Sequence, residues 1–207
     1  MNCLADRAIA SVLDKTGGGR WAVGGGEVAT EWAFSKRGDM RENAAALPIS
    51  ILLAWRDAET QRWHDWFRSH PQETLFIPAG EGRMATLHGV LVHIFAVELR
   101  FAQRLVDQPV SDWSEIVPQT LDETFAVGDV ARALIDGYLQ TADDASLDAE
   151  LTFLTMSAGT VTATKRKMLF NLVPHGMRHW AQVAMLLRQS GHRDQWPHDL
   201  LASNAMK

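Results

Sequence analysis

The run Asn171-Leu172-Val173-Pro174-His175-Gly176-Met177-Arg178-His179-Trp180-Ala181-Gln182 concentrates the groups of this chain that can do chemistry. Helical positions four apart share a face, so His175 and His179 can chelate one ion from successive turns. Asn171, one turn earlier, and Gln182, three residues later, extend the same polar line through a stretch otherwise rich in Leu, Met and Val. Gly176, beside the pair, leaves room for a helix or a ligand to come close. The spacing alone is weak evidence: eight histidines in 207 residues give roughly 0.3 such pairs by chance. A third ligand is required, and His93 is the best candidate, because it sits in the middle of an apolar helical stretch. A buried histidine on its own more often satisfies a hydrogen bond than binds a metal. It is the combination with the pair that makes a site.

Three neutral imidazoles suit a borderline divalent ion such as zinc or nickel and leave coordination positions open for water or a small-molecule substrate. Such an ion would lower the pKa of a bound water toward neutrality, or that of a bound thiol, and so generate a nucleophile near neutral pH. A structural site would instead be closed by four protein ligands. Glu98 falls on the apolar seam of the helix that carries His93, where an unpaired carboxylate is costly to bury. It is expected either to accept an imidazole N–H or carry a proton, or else to pair with Arg100, Arg104 or a helix end. Asn171 and Gln182 carry the same two readings, orienting the histidines or hydrogen-bonding at the edge of the core.

The remaining candidates are weaker. His88 precedes His93 by five residues, about 140° around a helix, so both cannot easily face one ion. His64, His70, His192 and His198 fall at surface-like or terminal positions. Trp55, Trp63, Trp66 and Trp180 read as core and pocket-wall residues. No Gly-x-Ser-x-Gly turn supports a serine nucleophile, and Cys3 has no fixed environment. Lys165-Arg166-Lys167 reads as the solvated first turn of a helix before it reads as an anion patch.

Helices must hold these groups. From Pro48 to about Ser69, Ile49, Leu52, Leu53, Trp55, Trp63, Trp66 and Phe67 recur at helical spacing, and His70-Pro71 ends the run. After a loop with Pro78, Gly80 and Gly82, the positions Met84, Leu87, Leu91, Ile94, Glu98, Phe101 and Leu105 alternate by three and four and mark a second helix. Residues 109–123 read as a long connection. A third helix follows from Val127 through Val130, Leu134 and Tyr138 to about Asp143, weakened by Gly128 and Gly137. Leu151 to Val161 is β-branched and reads as an extended or hairpin-like linker. The last helix starts near Thr162 or Thr164 and stops at Gly191, with Pro174 expected to kink it or restart it just before His175. The tail, with Trp196-Pro197, is expected to drape over the bundle.

Residues 1–44 differ from residues 45–207. They hold Gly17-Gly18-Gly19 and Gly24-Gly25-Gly26 with few periodic apolar positions, and are expected to form a flexible leader. The triplets lack the phosphate-loop spacing. The composition changes just after Met40, which suggests Met40 as the physiological start. A chain of 207 residues, 46% hydrophobic and 22% charged, has the profile of one globular domain with an appendage. The stretch Leu87 to Leu99 is too short and too polar to cross a bilayer, and the N-terminus lacks a secretory signal, so no membrane partner and a cytoplasmic setting are expected. One cysteine excludes an internal disulfide framework, and a net charge of −5 gives no footprint for nucleic acid.

These residues resemble the DinB family of bacterial four-helix-bundle metal proteins, which includes the YfiT-like bacillithiol transferases and the mycothiol-dependent maleylpyruvate isomerases. The resemblance runs from about residue 47 to the C-terminus. It rests on Leu53-Ala54-Trp55, on Leu91-Val92-His93-Ile94-Phe95 with Glu98-Leu99-Arg100, on His175 through Gln182, and on Leu186-Leu187-Arg188-Gln189-Ser190-Gly191-His192. It implies an all-α four-helix bundle in up-down-down-up order, a metal triad at His93, His175 and His179, and a homodimer. Many members carry a histidine where this chain has Asn171 and an arginine where it has Trp180, so the substrate of the arginine-bearing members does not carry over. Two functions stay open: a metal-dependent enzyme activating a low-molecular-weight thiol or water, as a transferase, isomerase or hydrolase, and a non-catalytic, stress-associated metal-binding protein. Haem ligation through His93 or His179 is less favoured, because the polar line on the last helix suits a compact hydrated ion.

Overall fold

The computed structural model describes residues 47–155 and 158–206. The expected leader at residues 1–44 and the expected start at Met40 lie outside the described residues. Four long helices, α1 (Ile49–Arg68), α2 (Leu87–Leu105), α3 (Leu121–Thr141) and α5 (Lys165–Gln189), build the fold, with the short α4 (Asp144–Asp148) and a hairpin between α3 and α5. The hairpin pairs β1 (Glu150–Thr155) with β2 (Gly159–Thr164) antiparallel, in the register Glu150↔Thr164 to Thr155↔Gly159. This is the extended linker expected there. Among the described residues no helix is long and apolar enough to cross a membrane.

Two apolar clusters form the core, and each of the four long helices contributes to both. One gathers Trp63, Phe67, Leu91, Ile94, Phe95, Phe125, Trp180 and Leu187; the other gathers Leu53, Ala102, Leu105, Ile135, Met168 and Leu172. Reading each helix from its start, α1 and α5 pass from the second cluster to the first, whereas α2 and α3 pass from the first to the second. The order is therefore up-down-down-up. Because α2 and α3 run in the same direction, residues 106–120 must travel back along the bundle. They carry Trp113 past the side of α2 as they go.

Local chemistry sets the helix ends. Thr86 caps α2 by accepting from the Gly89 amide, so the helix starts at Leu87, while Met84 belongs to a 3-10 turn over Gly82–Met84. The connection expected over residues 109–123 is shorter, and α3 starts at Leu121 instead of near Val127. The cause is a capping box: the Thr120 hydroxyl accepts from the Glu123 amide and the Glu123 side chain accepts from the Thr120 amide. Gly128 does not weaken α3 so much as let it approach α2, since a Cβ there would lie 2.5 Å from Phe95 Cδ1.

The fresh helix start expected at Pro174 does not occur, and α5 is one element through it. Phe170, whose carbonyl loses its donor, is exposed, as is Pro174, so the lost hydrogen bond falls on the solvent side of the helix and not in the core. At its far end α5 stops as expected. Gly191 has φ +85°, its amide donates to Arg188, and the His192 amide donates to Leu187 at 2.9 Å, a Schellman closure. The tail then crosses α1, where Trp196 Nε1 donates to Glu59 Oε2 at 2.9 Å.

Candidate metal centre

Between the two apolar clusters lies a polar layer. His93 enters it from α2, and His175 and His179 enter it from successive turns of α5. Ring centroids are 5.3 Å apart for His93 and His175, 4.7 Å for His93 and His179, and 4.7 Å for His175 and His179. One ligand nitrogen of each lies within 4.8 Å of the others, so the group could hold a metal ion. An ion bound at about 2.0–2.1 Å in tetrahedral geometry holds its nitrogens about 3.3 Å apart, so binding would draw the rings inward by rotamer-scale motion. Among the described residues no carboxylate or thiolate joins the three.

The protonation states suit ligation. Burial, followed by the positive fields of His179 and Arg178, lowers His93 to about 4. Burial, with His179, His93 and Arg178 adding to it, lowers His175 to about 3. Burial also lowers His179, against an opposing hydrogen bond from Gln182. All three rings are thus neutral near pH 7, with lone pairs to give. The His179 Nδ1–H donates to Gln182 Oε1 at 3.0 Å, which leaves Nε2 as the free lone pair. An Arg178 N–H rests 3.4 Å from that Nε2. His175 Nδ1 is buried with no hydrogen-bond partner, an arrangement that an ion at the cluster would relieve. On these grounds the residues present fit a divalent ion.

The supporting residues divide. Gln182 orients His179 as the helix spacing implied. Asn171 is exposed on α5, outside the group of three rings. Glu98 follows neither of its expected roles: it pairs with Arg56, not with Arg100, Arg104 or an imidazole. Arg56 Nε donates to Glu98 Oε1 at 2.9 Å and Nη2 donates to Oε2, with both side chains buried. Burial opposes the charge on Arg56, but the Glu98 carboxylate outweighs it and raises the guanidinium above its ordinary pKa. The pair lies against the site, since a Cβ on Gly176 would come 3.5 Å from Glu98 Oε1. Gly176 thus leaves space between α5 and this ion pair.

His88 turns away from the three rings and meets Thr124 Oγ1 at 2.9 Å. His198 departs from its surface-like expectation: it bonds the buried Glu59 carboxylate and stacks on Trp63 at 5.5 Å. Trp63, Trp66 and Trp180 are core residues as expected, and Trp180 stacks on Trp63 at 5.7 Å just behind His179. Two neighbours of the centre went unread in the sequence, and a third, Arg178, stood in the informative run without a role. Arg56 carried a signal, a charged residue on the apolar stripe between Leu53 and Trp63. Trp113, whose ring lies parallel to His93 at 6.1 Å, carried none.

The DinB family model matches residues 40–204. The chain belongs to the DinB family. Comparison with curated proteins returns no match. The family match spans all four long helices, and all three clustered histidines of this DinB protein lie within it.

Proposed function

We propose that this DinB protein binds a divalent metal ion through His93, His175 and His179 and uses it to activate a low-molecular-weight thiol or water. The observation that carries this reading is the convergence of three neutral imidazoles from two helices, with no acidic or thiol side chain among the described residues joining them. Three protein ligands leave positions open, as in catalytic sites, whereas structural sites are closed by four. A bound divalent ion supplies Lewis acidity, which lowers the pKa of a coordinated thiol or water.

The protein's own part in the chemistry is positional. Gln182 holds the His179 ring in the tautomer that presents Nε2. The buried Arg56–Glu98 pair ties α1 to α2 beside the site. Trp113 stands parallel to His93 with the ring centres 6.1 Å apart, a flat wall beside the site. Zinc or nickel as the ion rests on the three-imidazole donor set, a cytoplasmic setting on the single cysteine, and a homodimer on the family resemblance; all three belong to the same proposal. The test is metal analysis of the native protein beside His93→Ala and His175→Ala, with turnover measured on thiol and ester panels. Stoichiometric metal that both substitutions abolish, with thiol- or ester-converting activity lost in step, supports the enzyme. Full metal occupancy without turnover favours the non-catalytic binder, and absence of metal defeats both.

A further inference from the structure

The charges around the three histidines are lopsided. Among the described residues, the charged side chain whose field reaches all three is Arg178, a cation. The nearest buried carboxylate, Glu98, has both oxygens committed to Arg56. Gln182, which orients His179, is neutral. A divalent ion on three neutral imidazoles would therefore keep its whole charge, with a guanidinium beside it. The chain itself carries 25 acidic against 20 basic residues, so this basic surround departs from the average of the molecule.

Geometry places one cation at the histidines and a second farther out along the crossover. The Arg178 N–H rests at the nitrogen Gln182 leaves free, 3.4 Å away, so a metal there would displace it toward the remaining coordination positions. On the other side, Trp113 stands parallel to His93, and the Arg100 guanidinium lies 4.8 Å from the centre of that indole. Arg100 is anchored there by donating to the Ser111 carbonyl of the same crossover. Asp112, the acid nearest to Arg100, is exposed and turned into its own loop, accepting from the Ser114 amide and hydroxyl.

We infer that the open side of this centre selects a small molecule carrying a carboxylate or equivalent anionic group, held by the Arg178 guanidinium. This rests on the metal reading and narrows its substrate class to anionic thiols or acids. Charge-assisted hydrogen bonds from a guanidinium are about twice as strong as neutral ones and match a carboxylate in two-pronged geometry.

The test uses the full chain loaded with Co(II), titrated with three thiols of similar size and different charge: 3-mercaptopropionate, 2-mercaptoethanol and cysteamine. The thiolate-to-cobalt absorption reports binding. The anionic thiol is expected to bind about tenfold more tightly than the neutral one, with the cationic one weakest. Arg178→Gln should shrink the anionic preference to about threefold or less, as should raising the salt, which screens an exposed guanidinium, and cobalt should bind at least as tightly once the neighbouring cation is gone. Equal affinities for the three thiols, or a charge order that Arg178→Gln leaves unchanged, would overturn the inference. Should the protein take up no cobalt, calorimetry of 3-mercaptopropionate with the metal-free chain decides. Binding that Arg178→Gln abolishes keeps the anion subsite while the metal reading falls, and absence of binding overturns both.

Discussion

Replacing Glu98 with Gln strands a guanidinium in the core, and the cost can be worked from its surroundings. Arg56 is 2% exposed and Glu98 1%, and two of the guanidinium nitrogens donate to the two carboxylate oxygens. Removing one partner of a buried ion pair costs about 3–5 kcal/mol, because the other charge is left uncompensated. Two features put Glu98→Gln at the low end of that range. The amide oxygen still accepts one N–H, and Arg56 Nη1 keeps Asp57 Oδ1 at 3.0 Å. The expected loss is about 3 kcal/mol. The double variant Arg56→Met, Glu98→Leu removes both charges and fills similar volume, so it should fall within about 1 kcal/mol of the parent or exceed it. Urea denaturation, read as a shift in midpoint at constant slope, gives all the free energies needed for the double-mutant cycle. Metal uptake measured beside it should survive in the double variant. A loss below about 1 kcal/mol for Glu98→Gln, or a double variant no better than the single, would show that Glu98 is not held as half of an ion pair. It would then return to the role of proton carrier for the site.

Three further outcomes are expected. Gly128→Ala should destabilise by about 1–3 kcal/mol, since its Cβ would sit 2.5 Å from the buried Phe95 ring. Gly137→Ala, with nothing within 4 Å, should stabilise the same helix by about 0.5–1 kcal/mol, and urea midpoints moving in the same direction would contradict this. Gln182→Leu removes the acceptor of the His179 Nδ1–H and should weaken metal binding about 10–100-fold in competition with a chromophoric chelator; unchanged affinity would end its orienting role. His93 and His175 are lowered from 6.5 to about 4 and about 3. Between those values and 6.5 the unfolded chain binds more protons than the folded one, so stability is complete above about pH 6.5 and falls as the pH drops toward 4 and 3. Both rings are partly exposed, so the loss is on the order of 1 kcal/mol each. Melting of metal-free protein across this range, flattened in His93→Gln and His175→Gln, checks it.

Helices, the two ends of the last helix and the paired histidines were legible in the sequence because they depend on neighbours within a turn or two. The spacing of His175, His179 and Gln182 put them on one face of a helix before any partner was known. Gly191 ended that helix as a glycine in the left-handed region does. Even the start of α3 was written locally, in Thr120 and Glu123, although the loop-like composition around them concealed it. Pro174 looked disruptive in sequence, and only its position on the solvent side of α5 made it harmless. What remained hidden was contact between distant stretches of chain. Which cation meets Glu98 is decided by Arg56, 42 residues away. Which ring stands against His93 is decided by a crossover that must run back along the bundle because α2 and α3 point the same way. Side-chain periodicity records that a face is buried but not what it is buried against. The partner follows from helix order and register, which exist only once the whole bundle has packed.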